Sequence, residues 1–110
     1  MPYVPPQHRR ELDPLIDELA RGLVQEARRY EDAAAFAGLL NYTCTRLALK
    51  VARQRCGPLR YWLIAILTGT FKNLADEFYR RLGQPYEDQQ IVKNGDVDVY
   101  AEYLEEMEQT

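Results

Sequence analysis

The sequence predicts an all-α protein: a compact three-helix domain with an extended N-terminal arm and short C-terminal helices. Apolar residues recur every three or four positions in three long stretches, which is the spacing of one face of an α-helix. Glycine and proline end these stretches, as at Cys56-Gly57-Pro58 and at Gly83 with Pro85. A chain of 110 residues is long enough for one hydrophobic core. We therefore expect a single helical domain over residues 1–110.

The N-terminal arm is predicted over residues 1–12. This segment contains three prolines and the polar run Gln7-His8-Arg9-Arg10, a composition typical of an extended chain. Asp13 and Pro14 then suit the N-cap and the first turn of a helix, and apolar residues follow at helical spacing as far as Tyr30. We expect the three-helix core, residues 13–82, to begin at this point.

The second helix is predicted from Asp32 to Cys56, and the third from about Pro58 to Leu82. The first half of the third helix, Tyr61 to Leu67, is apolar nearly all round, and a small domain rarely buries a helix on every side. We therefore expect this half to contact another subunit, which predicts a homo-oligomer. The C-terminal segment, residues 83–110, is predicted to form a short helix ended by Asn94-Gly95 and a last acidic helix capped by Asp98.

Composition disfavours several classes of protein. The net charge of -3 argues against general coating of nucleic acid, although Arg9 and Arg10 with the second helix keep that possibility open as a third interpretation. The apolar run Tyr61 to Leu67 is far shorter than the ~20 residues that a bilayer span needs. The N-terminus also lacks the hydrophobic segment of a signal peptide. We therefore expect a cytoplasmic protein without a membrane partner.

Catalytic and metal-binding motifs are missing from the sequence. No phosphate-binding loop, nucleophile elbow or His-Glu-x-x-His motif occurs, and the single histidine, His8, lies in the predicted arm. Glu102-x-x-Glu105 has the spacing of one half of a helical Mg²⁺ site, but no matching acidic pair follows it. Cys44 and Cys56 lie about 18 Å apart on one predicted helix, beyond disulfide reach. We predict a protein that is not an enzyme and has no catalytic residue, metal site or cofactor.

The second helix carries a candidate binding face. Tyr42, Arg46, Lys50 and Arg53 follow one another at spacings of four, four and three residues, which places them along one stripe. An aromatic ring with three cations suits an anionic ligand that can stack, such as a nucleotide. An ordinary solvated stripe opposite the core explains the same spacing equally well.

The third helix adds two polar triplets on neighbouring faces: Asn73, Glu77 and Arg81, and then Lys72, Asp76 and Arg80. Both are consistent with simple intrahelical ion pairs. They are equally consistent with a preorganised network that recognises base edges and phosphates at a subunit junction. We predict that Arg80 or Arg81 binds ligand and that the acids orient it. The predicted ligand-binding residues are Tyr42, Arg46, Lys50, Arg60, Tyr61, Trp62, Asn73, Arg80 and Arg81.

The sequence resembles a family of small uncharacterised proteins found in phages, bacteria and archaea, over about Met1 to Asp96. The resemblance lies in Phe36 to Tyr42 with Arg46 to Lys50, in Arg60-Tyr61-Trp62 through Gly69 to Asn73, and in Asp76 to Arg81 with Pro85 to Asp88. It implies a phage or prophage context, and it brings no known catalytic activity with it. In size and helicity the chain is also similar to the phage proteins that sequester cyclic nucleotide signals of host immunity.

Two functions from different classes follow. In the first, a homo-oligomer captures an anionic nucleotide-like ligand, a cyclic oligonucleotide immune signal, at subunit junctions and so antagonises host defence. Tyr42, Arg46 and Lys50 would supply stacking and charge, Arg60 to Trp62 a wall, and Asn73, Arg80 and Arg81 polar recognition. In the alternative, the chain is a protein-interaction module that inhibits or adapts a host or phage protein through the apolar third helix and the arm.

Overall fold

The computed structural model describes residues 2–110, and every regular element among them is helical, which confirms the predicted all-α class. A 3₁₀ turn at Ala33–Ala35 precedes the second helix, and a π-helical segment at Tyr79–Gly83 follows the third. The α-helices are α1 (Pro6–Ala27), α2 (Phe36–Cys56), α3 (Tyr61–Phe78), α4 (Gln84–Asn94) and α5 (Asp98–Glu108). By its contacts the chain divides into two units, Met1–Thr70 and Phe71–Thr110.

The N-terminal arm is shorter than predicted, because α1 begins at Pro6. Pro5 is the N-cap, and Pro6 lies in the first turn, where its missing amide hydrogen removes no helical hydrogen bond. The prediction of an extended arm over residues 1–12 is therefore wrong from Pro6 onward, and Met1 lies outside the described residues. The prediction that the first helix starts at Asp13 is wrong for the same reason.

Pro14 lies inside α1, although a proline in a helix interior typically costs about 3 kcal/mol. The turns on its N-terminal side have their own favourable start at Pro6, so the helix extends to both sides of Pro14. The remaining arm contacts this first part of the helix, because the Arg9 guanidinium donates a hydrogen bond to the Val4 carbonyl at 3.0 Å.

The second helix has the predicted residues at its start and at its end. The Asp32 carboxylate accepts a hydrogen bond from the Ala34 amide at 2.9 Å and caps the 3₁₀ turn that leads into α2. At the other end Gly57 adopts a φ of 82°, a left-handed conformation that favours glycine, and its amide donates to the Arg53 carbonyl. The predicted end of the helix at Cys56 is confirmed.

The best-buried residues lie in the first unit. Among the described residues only Ala52 and Leu63 are buried, with exposures of 6% and 4%. Leu47 and Val51 of α2 are exposed, whereas Ala48 is half-buried. The best-covered positions of α2 therefore carry small side chains.

Large apolar side chains remain exposed on α1 and α3 of the first unit. On α1 they include Leu15, Ile16 and Leu19; on α3 they include Trp62, Ile64 and Ile66. Apolar surface of this kind is removed from water at interfaces between chains. That the first half of α3 contacts another subunit stays a prediction.

In the second unit the helical backbone continues through the predicted stop at Gly83 and Pro85. The Gln84 amide donates to the Tyr79 carbonyl, five residues earlier, which gives the wider π-helical turn. Gly83 keeps a helical φ of -75°, and the Tyr79 ring occupies the place where a Cβ atom would stand. Pro85 then lies in the first turn of α4, where proline is tolerated. The predicted helix end was therefore wrong.

The C-terminal segment forms two helices, as predicted, but the predicted cap at Asp98 is wrong. α4 ends at Asn94, followed by Gly95 with a φ of 88°. Val97 is the N-cap of α5, and Asp98 is its first residue, whose carboxylate accepts from the Val99 amide at 2.9 Å. Within residues 2–110 no helix is long and apolar enough to cross a membrane.

Replacing Gly22 in α1 with alanine should raise the free energy of unfolding by about 0.5–1 kcal/mol, because glycine in a helix interior loses more backbone entropy than alanine. A Cβ atom built at Gly22 meets no other atom within 4 Å. Urea unfolding followed by circular dichroism measures the change. Gly57→Ala is the control and should destabilise, since Gly57 has a positive φ. A loss of stability in Gly22→Ala would contradict the exposed position of this glycine.

Candidate functional site

The stripe predicted on α2 lines an open groove of about 440 Å³. Tyr42, Arg46, Lys50 and Arg53 all contribute, in the order that their helical spacing predicts. The other lining residues, Thr45, Leu49 and Gln54, were not predicted from the sequence. Thr45 lies three residues after Tyr42, and Leu49 lies three residues after Arg46. Both residues therefore lie on the helix face next to the stripe, and helical spacing could have identified them.

The cations of this groove have no acidic partner in the part of the chain that the structure describes. Neither Arg46 nor Lys50 makes an ion pair or a side-chain hydrogen bond there, and both are exposed. Arg53 lies in the last turn of α2, where a cation also stabilises the negative end of the helix dipole. Arg46 and Lys50 lie further from that end, so the dipole does not account for them.

Polar and aromatic groups complete the groove. The Tyr42 ring is 64% exposed and therefore available for stacking. The Thr45 hydroxyl donates to the Asn41 carbonyl at 2.8 Å, which leaves its oxygen free to accept. All the lining residues belong to α2 alone. A groove on one helix supplies one wall, whereas a ligand site normally buries most of its ligand, so a second wall must come from elsewhere.

The predicted aromatic wall lies at the start of α3 in the first unit. Tyr61 is the first residue of that helix and is 82% exposed, and Trp62 is 53% exposed. Arg60 directly precedes the helix, and its carbonyl accepts from the Leu63 amide. None of the three lines the α2 groove. Both rings are nevertheless open to a partner or a ligand.

The predicted polar residues Asn73, Arg80 and Arg81 belong to the second unit. Arg80 pairs with Glu77, three residues earlier, and its Nε lies 3.1 Å from Glu77 Oε1. This ion pair joins a residue of one predicted polar triplet, Arg80, to a residue of the other, Glu77. Arg81 makes no ion pair within residues 2–110. Of the two arginines, Arg81 has the freer guanidinium.

An apolar cleft of about 600 Å³ lies where α1 turns into α2. The cleft was not predicted from the sequence, because its lining residues come from two helices and the turn between them. Leu23, Val24, Ala27, Tyr30, Phe36 and Leu40 provide most of the lining, and Arg28 and Glu31 lie at its edge. The cleft suits an apolar side chain or a short apolar helix face rather than an anion.

Charge is strongly segregated along the chain. Between Asp32 and Asp76 there is no acidic residue, whereas α2, α3 and the loop between them carry basic ones: Arg46, Lys50, Arg53, Arg55, Arg60 and Lys72. After Lys93 the reverse holds, since every charged side chain is acidic. The net charge of -3 hides this division, which makes α2 a basic surface on an acidic protein.

Comparison with known proteins gives one match. Residues 1–97 match the family described as Domain of unknown function (DUF6899). No curated protein and no solved structure matches the chain. The matched range includes the α2 groove, the start of α3 and the π-helical segment, and it ends before α5.

Proposed function

The chain belongs to the DUF6899 family, a domain of unknown function, and from that premise we propose that it is a homo-oligomeric protein that binds an anionic, nucleotide-like ligand. The observation that supports this most is the α2 groove, where Arg46 and Lys50 have no acidic partner among the described residues and lie beside the exposed Tyr42 ring. Cations that bind phosphate and a ring that stacks on a base are the two contacts that a nucleotide needs.

The homo-oligomer is supported by two features of the first unit. The groove has a single wall on α2, and large apolar side chains of α1 and α3 are exposed to solvent. A second copy would cover such apolar surface and supply a facing wall, which is the usual position of a ligand site in a small oligomer. In this proposal Arg60, Tyr61 and Trp62 contribute to that wall. That Asn73, Arg80 and Arg81 of the second unit recognise polar groups of the ligand stays a prediction from the sequence.

The ligand class that we favour is a cyclic oligonucleotide. Arg46 and Lys50 lie about 6 Å apart along the helix axis, and Arg53 about 4.5 Å further, so the stripe suits a ligand with more than one phosphate. The resemblance to proteins of phages adds a context in which sequestering an immune signal of this class would antagonise host defence. Neither a catalytic residue nor a cofactor enters this function.

Native mass spectrometry of protein purified from cells that make cyclic oligonucleotides tests the proposal. We expect an oligomer that carries a nucleotide-sized additional mass, and a rise in melting temperature when the same nucleotide is added to the bare protein. Inorganic phosphate at the same concentration is the control and should give a much smaller shift, because it offers no base to stack on Tyr42. A bare protein without a thermal shift would contradict nucleotide binding.

The apolar cleft between α1 and α2 favours a second candidate, a protein-interaction module that inhibits or adapts a host or phage protein. Its lining is apolar around Phe36 and Leu40, and it is distinct from the basic groove. In this case Phe36→Ala should release a co-purifying protein, and nucleotides should leave the melting temperature unchanged. Under the first proposal Phe36→Ala leaves the nucleotide shift intact.

A further inference from the structure

Helix α5 has a stripe of carboxylates with the same spacing as the cations of α2. Arg46, Lys50 and Arg53 follow one another at four and three residues, and so do Asp98, Glu102 and Glu105. On two α-helices that lie side by side in parallel, these positions fall at matching heights, about 6 Å and then 4.5 Å apart. The two stripes are therefore complementary in charge and in spacing.

The carboxylates of this stripe are available for such a contact. All residues of α5 are exposed, and neither Glu102 nor Glu105 makes an ion pair or a side-chain hydrogen bond with the described residues. The acids share one side of the helix, whereas the apolar residues Val99, Tyr103 and Met107 share the other. Helix α5 lies outside the range that matches the family, residues 1–97.

We propose that α5 of one copy of this chain docks along the basic stripe of α2 in a second copy, with Glu102 facing Lys50 and Glu105 facing Arg53. The partner is a second copy because the chain itself supplies both stripes, the α2 groove has one wall only, and the charges match residue by residue. Exposed ion pairs are individually weak and are screened by salt, so this contact is reversible.

The docked carboxylates stand in for the phosphates of a ligand in the α2 groove. Helix α5 and an anionic nucleotide then compete for Arg46 and Lys50, and ligand binding displaces the acidic helix. This regulatory part rests on the proposed function, whereas the contact between copies does not. When ligand is absent, α5 of the second copy occupies the basic groove. Ligand binding therefore breaks this contact at the subunit junction.

Carbodiimide cross-linking of the full chain tests the contact, because it joins an amine directly to a carboxylate that touches it. Unlabelled and ¹⁵N-labelled protein are mixed in equal amounts, cross-linked and mapped by mass spectrometry. We expect cross-links from Lys50 to Glu102 or its neighbours that join one labelled and one unlabelled peptide, and that fall at least threefold in about 0.5 M salt. Cross-links of α5 to Lys72 or Lys93 only, or none between labelled and unlabelled chains, would overturn the proposal.

Two variants sharpen the test. Lys50→Arg keeps the positive charge but removes the amine, so it should lose the cross-link and keep the melting temperature of the unmodified protein. Glu102→Gln with Glu105→Gln leaves the α2 cations intact and should raise the affinity for a cyclic oligonucleotide about threefold or more, measured by calorimetry. An unchanged affinity in that variant, with nucleotide still bound, would overturn the competition. A mixed-isotope cross-link in a protein that binds no nucleotide would support the contact while contradicting the proposed function.

Discussion

Replacing Arg46 and Lys50 together with alanine should raise the dissociation constant for a cyclic oligonucleotide at least about a hundredfold. Each cation is expected to form a charged hydrogen bond with a phosphate, worth about 1.5–3 kcal/mol, so losing two costs about 3–6 kcal/mol. Both side chains are exposed and without an ion pair among the described residues, so the free energy of unfolding should change by less than about 0.5 kcal/mol. Isothermal titration calorimetry and urea unfolding measure the two quantities.

Arg55→Ala is the matched control for this double variant. Arg55 lies on the same helix as Arg46 but nine residues away, which is two and a half turns and therefore the opposite face. Its loss removes a charge from α2 without touching the groove, so ligand affinity should fall less than about threefold. Equal losses in both proteins would show that the ligand responds to overall charge and not to the groove.

Replacing Leu63 with alanine should lower the free energy of unfolding by about 2–5 kcal/mol. Leu63 is 4% exposed and is the only large apolar residue among those described that is buried, so its truncation removes apolar contacts and leaves a cavity. A loss of this size is a large part of the stability of a small domain. Chemical denaturation followed by circular dichroism, at a fixed protein concentration, measures the change.

Leu15→Ala provides the comparison for Leu63. The same atoms are removed, but Leu15 is 63% exposed on α1, so the loss within one chain should stay below about 1 kcal/mol. If Leu15→Ala costs as much as Leu63→Ala and its cost depends on protein concentration, the α1 surface is an interface between copies. If Leu63→Ala lowers the free energy of unfolding less than Leu15→Ala at every protein concentration, the assignment of Leu63 to the core is contradicted.

Local sequence signals predicted the ends of helices where a glycine with positive φ is required. Gly57 and Gly95 both mark true ends, because few other residues adopt that backbone conformation. Prolines were less informative, since proline fits the first turn of a helix and is also tolerated, at a cost, inside one. Pro6, Pro14 and Pro85 all lie within helical turns, and only tertiary contacts and flanking residues decide which of them starts a helix.

The candidate site was predictable as far as it lies on one helix. Tyr42, Arg46 and Lys50 line a common groove because helical spacing alone brings them together. The pairing of Arg80 with Glu77 was not predictable in the same way, since the neighbouring faces of α3 offered two acids at suitable spacing. The apolar cleft near Phe36 depends on how α1 packs against α2, which no short-range pattern encodes.

Pro14 divides α1 into two parts that differ in their resistance to local opening. Because proline has no amide hydrogen, the Arg10 carbonyl loses its usual helical donor, and the turns before it are linked to the rest of the helix by fewer hydrogen bonds. We therefore expect the amides of residues 9–13 to exchange with solvent by fraying of this short segment alone, without unfolding of the part of α1 that packs against α2. The segment from Pro6 to Asp13 is a separate cooperative element at the end of a longer, more protected helix.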